Sequence, residues 1–198
     1  MKSKYITFIL MTISLKSYAG LWTWEGVGAT KWLNGYPECG CYFSLQFSDK
    51  VTPKSAAHFD YQDISYQIVS LPKTDFLSDH SKTENEKLIL ESHLKYELGY
   101  LKKSSKNYDV KIKHQEWIKD QGLLYWNLIR KNNKESSQLV TLSMVSDKCV
   151  FYITSMVKDD NQVAESKAHI LKIMNTLNIH VPTSKDEFEA LISEFKPS

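Results

Sequence analysis

Two cysteines separated by a single glycine, Cys39-Gly40-Cys41, form the pattern in this chain that comes nearest to a chemical motif. Such a pair could act as a redox dithiol, hold a metal ion, or supply one half of a structural disulfide. Thiol enzymes most often use Cys-x-x-Cys at the start of a helix, where the helix dipole lowers the pKa of one thiol. Because this pair precedes a strand-like stretch, that activation is not expected.

The third cysteine of the chain, Cys149, is the candidate partner for this pair. In an extended backbone the Cα atoms of Cys39 and Cys41 would lie about 6.6–7.2 Å apart, at the upper limit of about 7 Å for a disulfide. Cys41 shares the apolar face of its predicted strand with Phe43, and Cys149 shares one with Phe151. We therefore predict a structural disulfide from Cys149 to the pair, with Cys41 slightly preferred over Cys39 and the remaining thiol free.

Other catalytic and metal-binding patterns are missing from the sequence. It contains no Gly-rich phosphate loop, no Gly-x-Ser-x-Gly and no His-Glu-x-x-His. The six histidines form no pair four residues apart on a predicted helix, and no second Cys/His cluster has zinc-like spacing. Asp159-Asp160 precedes a predicted helix, where aspartate typically serves turns and caps. We predict no catalytic residue, no metal and no cofactor.

An aromatic cluster near the N-terminus is the candidate binding surface. Trp22, Trp24 and Trp32 are three of the five tryptophans of the chain, and Tyr36 follows shortly after them. Tryptophan and tyrosine are enriched at binding surfaces because each offers rigid apolar area with a polar tip. These four residues could contact a partner protein or a glycan, or they could close one end of the core. The sequence leaves both interpretations open.

Residues 1–19 have the composition of a secretory signal peptide. Lys2 and Lys4 precede an apolar run from Tyr5 to Leu15, and small residues at positions 17 and 19 fit a cleavage site after Ala19. The run is too short to cross a bilayer, which takes about 20 apolar residues. We predict a soluble mature chain, periplasmic or secreted, without integral membrane association. Export also favours disulfide formation.

The charge of the mature chain argues against nucleic-acid binding. The formal net charge is +2, and it becomes −1 once the three lysines of residues 1–19 are removed. No stripe of lysine or arginine runs along the remaining sequence, so a general attraction to phosphate backbones is not expected. A protein or a component of the cell envelope is the expected partner.

Residues 20–198 have the length of one domain. Strands are predicted from periodicity and hairpin spacing, and helices from apolar residues three and four positions apart. The predicted strands are 41–47, 64–71, 108–119, 123–131, 138–145 and 149–157, and the predicted helices are 87–103, 162–177 and about 184–195. Strands that arrive in runs predict an α+β fold with an antiparallel sheet of about six strands. Two long helices cover it, and the short C-terminal helix follows.

The order of these elements resembles the PsbP-like fold. The segments GLLYWNLIRK, LVTLSMVSDKCVFYITSMV and AESKAHILKIMNTLNI contribute most to the resemblance, which covers about residues 41–180. Domains of that fold group are mostly non-catalytic binding, adaptor or assembly-factor domains, many of them exported. The resemblance therefore implies such a role here, but it transfers no functional residue.

Three functions are compatible with the sequence. The favoured one is an exported, non-enzymatic binding or accessory domain, such as an adaptor, inhibitor or assembly factor, that recognises a protein or envelope partner. The second is a periplasmic thiol–disulfide oxidoreductase that uses Cys39 and Cys41. The third is a secreted effector that acts on other cells.

Overall fold

A ten-stranded antiparallel sheet runs through the protein. The computed structural model describes residues 20–25, 28–77 and 85–195. The predicted signal segment, residues 1–19, lies outside these ranges, so the division into a signal peptide and one domain from 20 to 198 stays a prediction.

The strands follow one another along most of the sheet. They are β1 (Leu21–Glu25), β2 (Gly28–Tyr36), β3 (Cys41–Pro53), β4 (His58–Tyr61), β5 (Ile64–Pro72), β6 (Asp109–Ile118), β7 (Leu123–Lys131), β8 (Ser136–Val145), β9 (Cys149–Val157) and β10 (Asn178–His180). The helices are α1 (Glu86–Ser104), α2 (Asp160–Met174) and α3 (Lys185–Ser193). The spatial order is β1-β2-β3-β4-β5-β9-β8-β7-β6, and β10 pairs with β3 outside this path.

The α+β class and the antiparallel sheet are confirmed, whereas the predicted number of strands is wrong. The sheet has ten strands instead of about six. The four additional strands are β1, β2, β4 and β10, of which β4 has four residues and β10 has three. Strands this short carry no readable two-residue period. The two main helices are also unequal, since α1 has 19 residues and α2 has 15.

Strand β3 belongs to two parts of the sheet. It has 13 residues, and most of it pairs with β2 along one edge. On the other edge, its first residues pair with β10, and Thr52 and Pro53 at its end pair with β4. The long strand therefore connects β1 and β2 to the rest of the sheet.

Helix α1 covers one face of the sheet near β7 and β9. Leu90 and Leu94 are almost completely buried and pack in one cluster with Trp126 of β7. The helix begins after Asn85, whose side chain accepts a hydrogen bond from the backbone N–H of Leu88. Among the described residues, none of the helices combines the length and apolar composition needed to cross a membrane.

On the opposite face, the side chains of β5, β8 and β9 pack against α2 and against the strands β1–β3 from the other part of the same sheet. Trp32, Phe43 and Phe151 are fully buried there, and Ile170 of α2 packs in the same cluster. The side chain of Asp159 caps α2 by accepting a hydrogen bond from the backbone N–H of residue 162. This face holds the larger of the two clusters on the sheet.

The short helix α3 lies against the outer side of β1–β3. Ser184 caps it, and Leu191 and Phe195 pack with Leu33 of β2. Its position agrees with the C-terminal helix predicted at about residues 184–195.

Candidate functional site

The disulfide of the protein joins Cys39 to Cys149, whose Cα atoms lie 5.5 Å apart. The preferred pairing of Cys41 with Cys149 is therefore wrong, and Cys41 is a free, buried cysteine. Cys39 ends a short 3-10 turn that begins at Pro37, and Gly40 has φ +66°. This left-handed glycine breaks the two-residue period of an extended strand, so the face shared by Cys41 and the strand does not determine where Cys39 points.

Burial makes the free thiol a poor nucleophile. Burial, helped by the Asp147 carboxylate and opposed by Lys148, raises the pKa of Cys41 to about 11. The thiolate is the reactive form of cysteine, and at neutral pH it is scarcely populated for such a group. The Cys-Gly-Cys pair therefore supplies one end of a structural cross-link and one buried thiol.

Two of the four aromatic candidates belong to the core. Trp32 is fully buried, and its Nε1–H donates a hydrogen bond of 2.6 Å to the carbonyl oxygen of Ala56. Tyr36 is buried beside Phe43, with ring centroids 5.7 Å apart. Burial raises the pKa of Tyr36 to about 12. Neither side chain presents a surface that a partner could contact.

Trp22 is partly buried at the edge of the same cluster. Its ring stacks on Phe47 at a centroid distance of 5.9 Å, and its Nε1–H donates to the carbonyl oxygen of Ser55. The side chain of Trp24 lies outside the described part of the chain, and a register shift separates Thr23 from Trp24. A binding role for Trp22 and Trp24 stays a prediction.

An open cleft of about 620 Å³ lies on the sheet, and we call it the sheet cleft. Residues of β4, β5, β7, β8 and β9 line it, and α1 contributes none of the lining. Thr154 in the lining pairs with Thr141, which pairs with Trp126 beneath α1. Directly paired residues of antiparallel strands point to the same face. The sheet cleft is therefore the part of the α1 face that α1 leaves uncovered.

The floor and rim of the sheet cleft differ in chemistry. Leu139 and Met156 are cross-strand partners and form an apolar floor. Lys158 and His58 lie at the rim. The Nδ1 of His58 is 2.9 Å from the hydroxyl of Ser55, and burial lowers the pKa of His58. The imidazole is accordingly neutral at pH 7.

Arg130 is the cation within the sheet cleft that has the most defined geometry. It is the only arginine among the 25 basic residues of the chain. Its guanidinium carbon lies 3.7 Å from the ring centroid of Tyr108, and its Nε is buried without a hydrogen-bond partner. Within the described ranges it forms no ion pair. Glu135, the acidic residue of the lining, accepts a hydrogen bond from the Tyr108 hydroxyl instead.

A second group of titratable side chains lies between β3, β4 and α2. Asp49 Oδ2 accepts hydrogen bonds from Lys172 Nζ at 2.8 Å and from the Tyr61 hydroxyl at 2.7 Å. The hydrogen bond from Lys172 contributes most to lowering the pKa of Asp49 to about 2. The adjoining cavity has a volume of about 50 Å³, enough for water but not for a substrate. This group is a satisfied ion pair without a free base.

Across residues 20–25, 28–77 and 85–195, no three His, Cys, Asp or Glu side chains are grouped so that they could hold a metal ion. The predicted absence of a cofactor stays a prediction.

Sequence reasoning missed Arg130 and the sheet cleft. One signal was present in the sequence: a single arginine at the end of a predicted strand, in a chain whose other 24 basic residues are lysines. Arginine differs from lysine in offering a planar fork of donors. An isolated arginine in such a chain is therefore a candidate for recognition of a planar anion.

Comparisons with known proteins give a similarity to solved structures but none in sequence. No protein-family model matches the chain, and no curated protein is similar to it in sequence. The solution structure of cyanobacterial PsbP (CyanoP) from Synechocystis sp. PCC 6803 aligns over 79% of this chain and 97% of that one, with 13% identity and a TM-score of 0.46. It agrees with the PsbP-like order of elements at the level of a weak similarity. It carries no argument on family or function.

Proposed function

We propose that the chain is a non-enzymatic binding domain that holds part of a partner protein in the sheet cleft. The observation that supports this proposal is an open cleft of about 620 Å³ that contains a stacked arginine without an ion pair in the described chain. Ligand sites of proteins typically have volumes of about 300–1,000 Å³, an apolar lining and a few placed polar groups. Leu139, Met156 and Arg130 provide that combination.

The chemistry of the remaining groups favours binding over catalysis. Cys39 and Cys149 are joined to each other, and the pKa of Cys41 is raised to about 11 by burial. A thiol–disulfide oxidoreductase needs an accessible thiolate of lowered pKa, so this geometry gives the oxidoreductase alternative no support. Asp49 and Lys172 pair with each other beside a cavity too small for a substrate.

A variant that fills the sheet cleft tests the proposal. Ser137 is half-buried and pairs with Arg130 across β7 and β8, so Ser137→Trp places an indole in the cleft. Lys185→Trp introduces the same side chain at an exposed position of α3, away from the cleft, and serves as the matched control. Residues 20–198 of each variant are immobilised and exposed to the envelope fraction and the medium of the producing cells, and retained proteins are quantified by mass spectrometry.

The expected result is a protein retained by the wild type and by Lys185→Trp but lost with Ser137→Trp. Thermal melts confirm that both variants fold. Equal retention by the two tryptophan variants would show that the sheet cleft is not the binding site and would refute the proposed function.

A further inference from the structure

We infer that the sheet cleft binds the C-terminal end of a peptide segment, with its terminal carboxylate held by Arg130 and its last, aliphatic side chain on Leu139 and Met156. This inference rests on the proposed function and specifies the partner's chemistry. It follows from the geometry of the arginine, the charge of the lining and the polar side chains beside its apolar floor.

The guanidinium of Arg130 is oriented before any ligand arrives. Its carbon lies 3.7 Å from the Tyr108 ring centroid, and stacking of this kind fixes the plane of the group. Glu135, the acid that could neutralise it, accepts the hydrogen bond from the Tyr108 hydroxyl. The terminal N–H groups of Arg130 form a planar fork that matches the two oxygens of a carboxylate.

The charge of the lining matches a single negative charge. Arg130 and Lys158 are cationic, Glu135 is anionic, and the lowered pKa of His58 leaves it neutral at pH 7. The sum is one positive charge. A phosphate group carries about −1.5 to −2 at neutral pH and would leave excess negative charge beside Glu135, whereas a carboxylate balances the lining.

Polar side chains in the lining of the sheet cleft distinguish a peptide from an acyl chain. The polar side chains of Gln67, Ser136 and Ser137 line the sheet cleft, where Ser136 is exposed and the other two are half-buried. A peptide backbone brings N–H and C=O groups to pair with them. A fatty acid would cover these groups with alkyl chain and leave them without partners, which is unfavourable for buried polar groups.

The experiment compares three ligand probes on residues 20–198 of the protein. The first is a library of acetylated hexapeptides with free C-terminal carboxylates that end in leucine, isoleucine, valine or methionine. The second is the same library with C-terminal amides, and the third is dodecanoate. Affinity selection ranks the probes, and ¹H–¹⁵N NMR titration of the best peptide locates the site.

We expect carboxylate peptides to bind with shifts at Leu139, Met156 and Ser137. Amidation of the selected peptide weakens binding about tenfold or more, because it removes the charge-assisted pair with the guanidinium. Arg130→Gln weakens it to the same extent. Arg130→Lys keeps the charge but loses the fork and weakens binding by several-fold. The matched control Lys131→Gln, at the exposed next position of β7 outside the lining of the sheet cleft, changes affinity less than about threefold.

Two results would overturn the inference. Amide peptides that bind as tightly as carboxylate peptides would remove the carboxylate from recognition, a result that does not depend on the folding of any variant. Dodecanoate that binds in preference to the peptides would identify a lipid site. If either occurs while Ser137→Trp still abolishes partner capture, the proposed function stands and only its peptide chemistry is wrong.

Discussion

The two faces of strands β5, β9 and β8 serve different purposes although they share one backbone. On the face towards β1–β3 and α2, Phe151 and Ile153 of β9 have no exposed surface and pack in the main cluster. On the other face, Met156 of the same strand is half-buried and forms part of the open sheet cleft. Because successive side chains of a strand point to opposite faces, the same strand can place side chains that stabilise the fold on one face and side chains available to a ligand on the other.

The filled face should be the more sensitive to truncation of large side chains. Trp32 is fully buried and its ring contacts Phe151 at a centroid distance of 6.4 Å. Trp32→Ala should lower the free energy of unfolding by about 3–5 kcal/mol, because it leaves a cavity and an unpaired carbonyl of Ala56. Urea unfolding followed by tryptophan fluorescence and circular dichroism measures the loss. Trp22→Ala, at a partly buried position, is the control and should cost less.

Loss of the disulfide should have the next largest effect. The Cys39–Cys149 bond closes a loop between residues 110 positions apart, and Cys39→Ser should lower the free energy of unfolding by about 2–5 kcal/mol. Dithiothreitol should destabilise the wild type and Cys41→Ala alike and leave Cys39→Ser unchanged. Unfolding curves with and without reductant provide the measurement.

Alkylation of the native protein provides an independent check on the same cysteines. Because burial raises the pKa of Cys41 to about 11, iodoacetamide at pH 8 should leave this thiol unmodified until the chain unfolds. Rapid alkylation of Cys41 in the native state would contradict this prediction and would return the oxidoreductase alternative to consideration.

A matched pair of methionines compares the two faces directly. Met144 of β8 is partly buried against the main cluster, whereas Met156 of β9 lies in the sheet cleft. Met144→Ala should cost about 2 kcal/mol, and Met156→Ala about 1 kcal/mol or less. Only the second should weaken ligand binding. Equal destabilisation by both substitutions would show that the cleft face is packed as tightly as the filled one.

The smallest effect expected is a pH dependence that originates at the filled face. His169 Nδ1 and the Tyr66 hydroxyl lie 2.8 Å apart, and burial lowers the pKa of His169 from 6.5. The folded chain therefore binds this proton less readily than the unfolded chain, so stability is retained above about pH 6.5 and falls as the pH decreases below it. The melting temperature should decrease from pH 7 to pH 5. His169→Gln, which keeps an acceptor for Tyr66, should show a smaller decrease.

Local patterns were sufficient to predict the elements that form the middle of the sheet. The hairpin spacing of β8 and β9 and the leucine stripe of α1, with Leu90 and Leu94 on its buried side, gave the α+β class. The link from Cys149 to the Cys39/Cys41 pair also followed from the sequence. The choice within the pair did not, because it depends on the left-handed backbone at Gly40, which alternation does not encode.

The candidate site could not be predicted because an uncovered surface has no local signature. Every residue of β9 except Met156 is buried, so the strand reads as a core strand on both faces, and only the placement of α1 over β7 leaves Met156 accessible. The aromatic cluster near the N-terminus shows the opposite failure, in which the sequence suggests an accessible surface and the structure buries it. Trp32 and Tyr36 have the composition of a binding surface, but β3 and β9 cover them.

The length of β3 has a consequence for how the protein opens. Its backbone pairs with β2 and β10 in one part of the sheet and with β4 in the other, so neither part can separate without breaking hydrogen bonds that the same strand provides. Amide protons of Phe43 and Ser44, which lie between β2 and β10, should therefore exchange with solvent only when the whole molecule unfolds, as is usual for the most stable cooperative unit of a protein. A ligand in the sheet cleft would then slow exchange at Phe43 as well as at its own contacts, although no atom of the ligand touches that phenylalanine.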